Sequence, residues 1–248
     1  MLNQNNQVVN HFSYEPDNDF SISQNSIYSI YIDKYNAIWL GLREGGLNII
    51  YENDNYFTNI KHIKNLSNSI HNNNIRSIYQ AKNGDIWFGT ENGVSKFSKG
   101  KWTNYNQNTK LFNMAVLAIN EYNDQLILGT YGEGLLSIDS ETGEISNFKL
   151  NTDRPFKFVF NLHSTENNLW VSTSDGSLNY FYKNELIHNY KIGFVRDLVE
   201  GFEDIVYAIS DTGLYKINKR NNSYQKIETD VFNTVNIGYS LNFDPLNN

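Results

Sequence analysis

The residues able to do covalent or metal chemistry are few and scattered. There are five histidines, His11, His62, His71, His163 and His188. None forms an H-x-x-x-H pair or stands at metal-ligand spacing from a carboxylate, and solvated loop or strand histidines account for them. Cysteine is absent, which removes disulfides, thiolate catalysis, zinc ribbons and iron–sulfur clusters. The Gly-rich run GTYGEG (129–134) lacks the following helix and the Lys-Ser/Thr pair of a phosphate loop, so it reads as a turn. Asp17-Asn18-Asp19 opens like a calcium loop, but the later Gly and bidentate Glu are missing. There is no G-x-S-x-G nucleophile elbow. Carboxylate neighbours such as Glu203-Asp204 fall in turns, with nothing to make one an acid and the other a base. The sequence therefore implies no catalytic set, no metal and no cofactor.

What remains suits non-covalent recognition. Arg43, Glu44, Glu91, Tyr131, Glu133, Asp175 and Asp211 sit in glycine-containing turns. Tyr28, Arg76 and Arg196, with Leu117 and Phe160, share one position in short apolar segments. Aromatic rings with Arg and carboxylates suit a sugar or another small ligand, through stacking and hydrogen bonding. Solvated turns, or packing between structural units in the second group, give the same residue pattern. Which reading holds depends on the elements that carry these residues.

Those elements repeat. IWLGLREGGLNII (38–50), IWFGTENGVSKF (86–97), LILGTYGEGLLSI (126–138), LWVSTSDGSLNYF (169–181) and VYAISDTGLYKI (206–217) align. Their anchors are Trp39, Trp87, Ile127, Trp170 and Tyr207, each followed by a turn glycine, Gly46, Gly93, Gly134, Gly176 and Gly213. The period, roughly 40–45 residues, is that of a four-stranded propeller blade, though helical repeats share it. Local pattern decides for strands: short β-branched and aromatic runs flank Asn-Gly and Gly-X turns. No ten-residue stretch shows capped 3.6 periodicity. The second unit predicts strands at 75–81, 85–90, 93–98 and 101–106. The first strands, IYSI, IRSI, VLAI, VFNL and VRDL, are small or polar at their third position, which crowding around a propeller axis explains. The recurring Trp residues read as packing between blades, and Trp102 as a cap on a blade edge.

The expected fold is all-β: one β-propeller domain over 1–248, built of four-stranded antiparallel blades. Five complete blades fall at about 26–62, 75–106, 115–150, 156–192 and 194–229. Partial strands at 7–14 and 236–244 flank them, as in a fragment of a longer array or a ring that closes irregularly. An open array would leave unpaired strand edges. The turn residues would then gather on one loop face.

The chain has 248 residues, with 20 Lys and Arg against 27 Asp and Glu, a net charge of −7. That excludes the basic footprint a nucleic-acid partner needs. No apolar run approaches the ~20 residues of a membrane span, and residues 1–10 have no secretory pattern. Asn occurs 40 times, spread along the chain, which foretells many turns.

These units resemble the two-component regulator propeller repeats, whose pattern is roughly N-x-I-x-S-I-x-x-D-x-x-G-x-I-W-x-G-T-x-x-G-G-L. The second unit carries Asn74, Ile75, Ser77, Ile78, Asn83, Gly84, Asp85, Ile86, Trp87, Gly89, Thr90 and Gly93. The first carries Asn25, Ile27, Ser29, Ile30, Asp33, Ile38, Trp39, Gly41, Gly45, Gly46 and Leu47. The third lacks the Trp, the fourth has Ser172 for the motif glycine, and the fifth keeps Gly213 and Leu214. The resemblance implies a non-catalytic, extracytoplasmic sensor region of a membrane signalling protein. Its typical output is a hybrid histidine kinase, its ligands are often oligosaccharides, and the parent receptor can be a homodimer. The propeller fold also hosts lyases and protein-interaction scaffolds, which stay open as alternatives.

Overall fold

The structure, a computed structural model, describes residues 11–51, 54, 56–106, 109–228 and 241. Among them every regular element is a strand. Twenty strands form five four-stranded sheets, each an up-and-down meander in chain order. Blade one holds β1 (Ile27–Ile32), β2 (Ile38–Leu42), β3 (Leu47–Ile50) and β4 (Thr58–Ile60). Blade two holds β5 (Ile75–Gln80), β6 (Ile86–Thr90), β7 (Val94–Ser98) and β8 (Lys101–Tyr105). Blade three holds β9 (Val116–Tyr122), β10 (Gln125–Thr130), β11 (Leu135–Ile138) and β12 (Ile145–Asn147). Blade four holds β13 (Val159–Ser164), β14 (Asn168–Thr173), β15 (Ser177–Tyr182) and β16 (Glu185–Lys191). Blade five holds β17 (Val195–Glu200), β18 (Ile205–Ser210), β19 (Gly213–Asn218) and β20 (Ser223–Ile227). The protein is an all-β five-bladed β-propeller with antiparallel blades. The chain forms two compact units, Met1–Ile119 and Asn120–Asn248.

The expected strand at 7–14 lies mostly outside the described residues, and its described part, 11–14, is irregular. The strand expected at 236–244 lies outside them except for Leu241, whose amide donates to Asp197 Oδ2 at 2.9 Å.

Hydrophobic packing runs between consecutive sheets, which is why the second and third strands read as nearly continuous apolar runs. In the first unit Trp39, Leu47 and Ile49 of blade one meet Ile75, Ile86 and Phe88 of blade two. Trp102 joins them partly buried, with its ring 4.9 Å from Phe97 and 5.3 Å from Phe88. In the second unit Trp170, Leu178, Tyr180 and Tyr190 of blade four meet Val195, Leu198, Val206 and Ala208 of blade five. Trp170 and Tyr180 are cross-strand partners and stack at 4.4 Å, the pairing that stabilises antiparallel sheets.

Two features of the repeat follow from how closely the sheets approach. The glycine after each Trp faces the next blade: a Cβ on Gly89 would lie 2.3 Å from Ser77 Oγ and 2.5 Å from the Val116 carbonyl. Gly41 is equally hemmed in by Ser29 and Ile75. In blade four Ser172 takes this position and its hydroxyl donates to the Val195 carbonyl at 3.0 Å, so the added atoms are used as a hydrogen bond. The small or polar third position of the first strand has the same origin. Ser29 and Ser77 pair with Gly41 and Gly89, and Asn161 reaches onward to the Arg196 carbonyl at 2.8 Å.

Gly89→Ala is expected to cost about 1–3 kcal/mol, the usual range for overpacking against atoms that cannot move aside. In urea unfolding the midpoint should fall with the slope unchanged; an unaltered midpoint would show that the two sheets are not held this close.

Candidate functional site

The residues singled out in the sequence sit on two structural devices. The first is a β-bulge. In four first strands the register slips by one residue, between Ile27 and Ser29, Ile75 and Ser77, Val159 and Asn161, and Val195 and Asp197. Tyr28, Arg76, Phe160 and Arg196 are therefore the extra residues of these bulges, and a bulge re-aims such a side chain.

The second device is a locked turn between the second and third strands. The buried hydroxyl of Thr90 donates to the Gly93 carbonyl at 2.9 Å and accepts the Asn92 amide at 3.1 Å. Thr130 does the same with the Gly134 carbonyl at 2.9 Å and the Glu133 amide at 3.0 Å. Ser210 repeats it with Gly213 at 3.3 Å and Thr212 at 3.2 Å. These turns also hold the next blade's lead-in: Gly46 N–H donates to the Asn73 carbonyl, Gly93 to Met114 and Gly134 to Lys157, while in blade four the Gly176 carbonyl accepts Gly193 N–H.

In the first unit three of the expected residues come together. Arg76 Nε donates to Glu91 Oε2 at 2.5 Å, and its guanidinium lies 4.3 Å from the Tyr28 ring centroid. Burial is the largest single effect and works against the Arg76 charge, but the bond to Glu91, its charge and Tyr28 together outweigh it and raise the pKa. Arg43 and Glu44 stand apart from this cluster. Their backbone amides bond to Ser26 O and Asn74 Oδ1, both at 2.9 Å, and their side chains have no polar partner among the described residues.

In the second unit Tyr131 is 55% exposed and begins a row of rings. Phe158 lies 4.6 Å from it, Phe160 6.3 Å from it, and Phe194 5.8 Å from Phe160. Asp175 is held by Lys191 Nζ at 2.8 Å, Thr173 Oγ1 at 2.7 Å and Ser177 Oγ at 2.8 Å. Burial opposes its charge, yet these donors keep the carboxyl well below the usual range. Asp211 Oδ1 accepts the Phe194 amide at 2.8 Å and so serves the backbone. Glu133 is exposed beside Tyr131.

Beside Asp175 lies a groove of about 370 Å³ lined by Arg154, Pro155, Phe156, Lys157, Phe158, Thr173 and Ser174. The lead-in segment RPFKF (154–158) escaped the sequence reading, which looked for ligand residues in the turns. Its alternation of cations and rings was the available signal.

Two histidines depart from the solvated reading. His71 Nε2 faces the amide nitrogens of Asn106 at 2.5 Å and Asn92 at 3.5 Å. Burial, then the neighbouring His62, lowers its pKa. His163 is lowered too, because burial exceeds the opposing effect of Glu200 and Asp197, with Lys219 adding to the lowering. Among the described residues no three His, Cys, Asp or Glu side chains are grouped to hold a metal ion, and no helix is long and apolar enough to cross a membrane.

Residues 21–44 and 69–92 match the family model of the two component regulator propeller. Blades one and two carry two component regulator propeller repeats. In the first of these repeats the motif aspartate, Asp33, accepts Trp39 Nε1–H at 3.0 Å, the Ala37 amide at 3.0 Å and the Tyr35 amide at 2.8 Å. In the second repeat the Trp87 indole nitrogen is buried without such a partner. No curated protein matches the sequence.

Among solved structures, the extracellular domain of the putative hybrid two component system BT3049 from B. thetaiotaomicron is similar in fold. It aligns with a TM-score of 0.73 at 19% identity, over 92% of this chain and 31% of its own. The chain thus spans about a third of that domain's length. The Neurospora crassa Pan2 WD40 domain aligns at 0.60 and 13% identity, over 81% of this chain and 65% of its own. The WD40 β-propeller domain of Doa1 aligns at 0.59 and 10% identity, over 83% and 69%. At these identities the likeness concerns the fold.

Two outcomes are expected. Thr130→Val keeps the shape of the side chain but removes both turn bonds. It should cost about 1–3 kcal/mol and speed hydrogen exchange at the Glu133 amide; unchanged exchange would mean that another contact locks the turn. The histidines give the second. Their folded pKa values lie below the ordinary ~6.5, so the unfolded chain binds protons that the folded chain does not. Their contribution is complete above about pH 6.5 and is lost as pH falls through the folded values. Urea midpoints should drop from pH 7.5 to pH 5, and the drop should shrink in a His71→Gln, His163→Gln double variant. An equal drop in that variant would assign the pH dependence to other groups.

Proposed function

We propose that this chain is a non-catalytic, ligand-recognising segment of the extracytoplasmic sensor propeller of a signal-transduction protein, a histidine kinase or related receptor, and that its ligand is a saccharide. The observation that carries this reading is the pair of two component regulator propeller repeats at 21–44 and 69–92. The fold neighbour BT3049 is described as an extracellular domain of a putative hybrid two component system, which agrees with it. The site architecture supports recognition over catalysis. Several charged groups of the loop segments are spent on one another or on backbone, as Arg76 is on Glu91 and Asp211 on Phe194. The turns are rigidly fixed, and groups already ordered lose little entropy on binding.

The ligand belongs on the loop face of the second unit, where Tyr131, Glu133 and Asp175 project beside the row of rings. Rings stack on the apolar face of a sugar while carboxylates accept its hydroxyl protons.

The test is a thermal-shift screen of neutral and charged oligosaccharides, with each mixture analysed for products. A ligand at 100 times its Kd stabilises by about 2.7 kcal/mol, which for a chain of this size raises Tm by roughly 5–10 °C. A sensor segment shows that shift with the sugar recovered intact. Product formation abolished by removing one acid or base would identify an enzyme, and a panel with no shift would overturn the saccharide reading.

A further inference from the structure

In an acidic protein, two cations at one groove stand without a counter-charge. Arg154 and Lys157 are exposed, and neither has a carboxylate partner among the described residues. Lys157 Nζ lies 5.5 Å from the Phe158 ring centroid. Arg154 Nη1 donates only to the neutral amide oxygen of Asn179, at 3.4 Å. That amide is itself fixed. Asn179 is fully buried, its Nδ2 donates to the Val171 carbonyl at 3.1 Å, and its Oδ1 also accepts Asn189 Nδ2 at 2.8 Å. Arg154 is thus steered by a rigid polar core while most of its donors stay open. The far wall of the groove is different. There the Asp175 carboxylate is neutralised by Lys191 at 2.8 Å and filled by Thr173 and Ser177, so this wall is polar but carries no free anion. Between the two walls lie Phe156 and Phe158, and the rings continue through Tyr131 to Phe160.

One ligand chemistry fits all three features: an anionic group, an apolar ring face, and hydroxyls at a distance from the charge. We infer that the groove between residues 154–158 and 173–175 binds an acidic saccharide. Its carboxylate or sulfate ester is held by the Arg154 fork and Lys157, its ring face lies along Phe158 and Tyr131, and its hydroxyls lie toward the polar wall of residues 173–175. The planar guanidinium matches either oxyanion through paired N–H bonds, and a lysine adds a point charge. The inference rests on the reading of the chain as a saccharide-recognising segment and narrows the class of sugar.

The full chain is titrated calorimetrically with digalacturonate, with its neutral counterpart digalactose, with a sulfated galactose disaccharide and with inorganic sulfate. Binding of digalacturonate or of the sulfated disaccharide at least tenfold tighter than digalactose is expected, and the tighter of the two names the anion. Affinity should weaken as salt rises, since the contacts are exposed and screened. Arg154→Ala with Lys157→Ala should lose at least tenfold toward the acidic sugar and leave digalactose unaffected, while Arg154→Lys should lose less. Circular dichroism shows that the variants keep the fold.

Equal binding of the neutral and acidic disaccharides, or an unchanged affinity in the double variant, overturns the inference and leaves the sensor reading standing. Inorganic sulfate competing as well as the sulfated sugar overturns the saccharide part. No binding of either acidic disaccharide overturns it outright. Failure of every sugar, neutral ones included, removes the parent reading as well.

Discussion

Everything in this fold hangs on how close one sheet comes to the next. The approach is set by the residue two places after the anchor, where a methyl group on Gly89 would meet a serine oxygen in its own sheet and a carbonyl at the start of the next. Once the sheets are that near, the large side chains flanking this point, Trp39 against Phe88 at 5.8 Å for one, close over each other and exclude water. The burial is worth roughly 25 cal/mol per Å², spread along each seam between blades. The same proximity lets the turn amides of one blade bond to the lead-in of the next, so packing and hydrogen bonding fix a single geometry. Within each unit a sheet is held stiffly, because it cannot tilt against its neighbour without breaking both.

That stiffness decides what the loop face can do. The turns carry residues that differ from blade to blade, between strands that repeat. Thr90, Thr130 and Ser210 supply the same pair of bonds, and Leu42 replaces them in blade one, where the Gly46–Asn73 bond still ties the turn down. Function can therefore drift at Glu133, whose side chain is exposed, without touching the scaffold.

The repeat made much of this readable from sequence. The Trp anchors, the turn glycines and the strand order came from comparing units with one another, and the second blade's strands end within a residue of expectation. What was not readable has a common cause. A bulge requires no particular residue, so Tyr28, Arg76 and Phe160 showed only as a variable position. Lys99-Gly100, Asn123-Asp124, Lys183-Asn184 and Glu203-Asp204 all adopt paired positive φ, although only the first contains a glycine. The small third position was explained by crowding at an axis. Its cause in the structure is contact with Gly41 and Gly89 of the neighbouring strand and, for Asn161, a reach to the next blade. Pairings between side chains distant in sequence, such as Asp175 with Lys191 or His71 with Asn106, leave no local trace at all.

The difference between the two arginine environments shows why side-chain pairing, more than residue type, decides where a ligand binds. Arg76 and Arg154 are alike in one respect: each stands on a segment that opens a blade. Arg76 already has a carboxylate on its Nε and a ring against its face. A ligand acid arriving there exchanges one charge-assisted bond for another and leaves Glu91 uncompensated, so little free energy is gained. Arg154 has given one N–H to a neutral amide and holds the others in solvent. An acid arriving there forms new charge-assisted bonds without displacing a carboxylate of the fold, on an arginine tethered at one N–H to Asn179. The same residue type is thus a structural clasp in one blade and an open donor in another, and the distinction lies in whether the fold itself has supplied the anion.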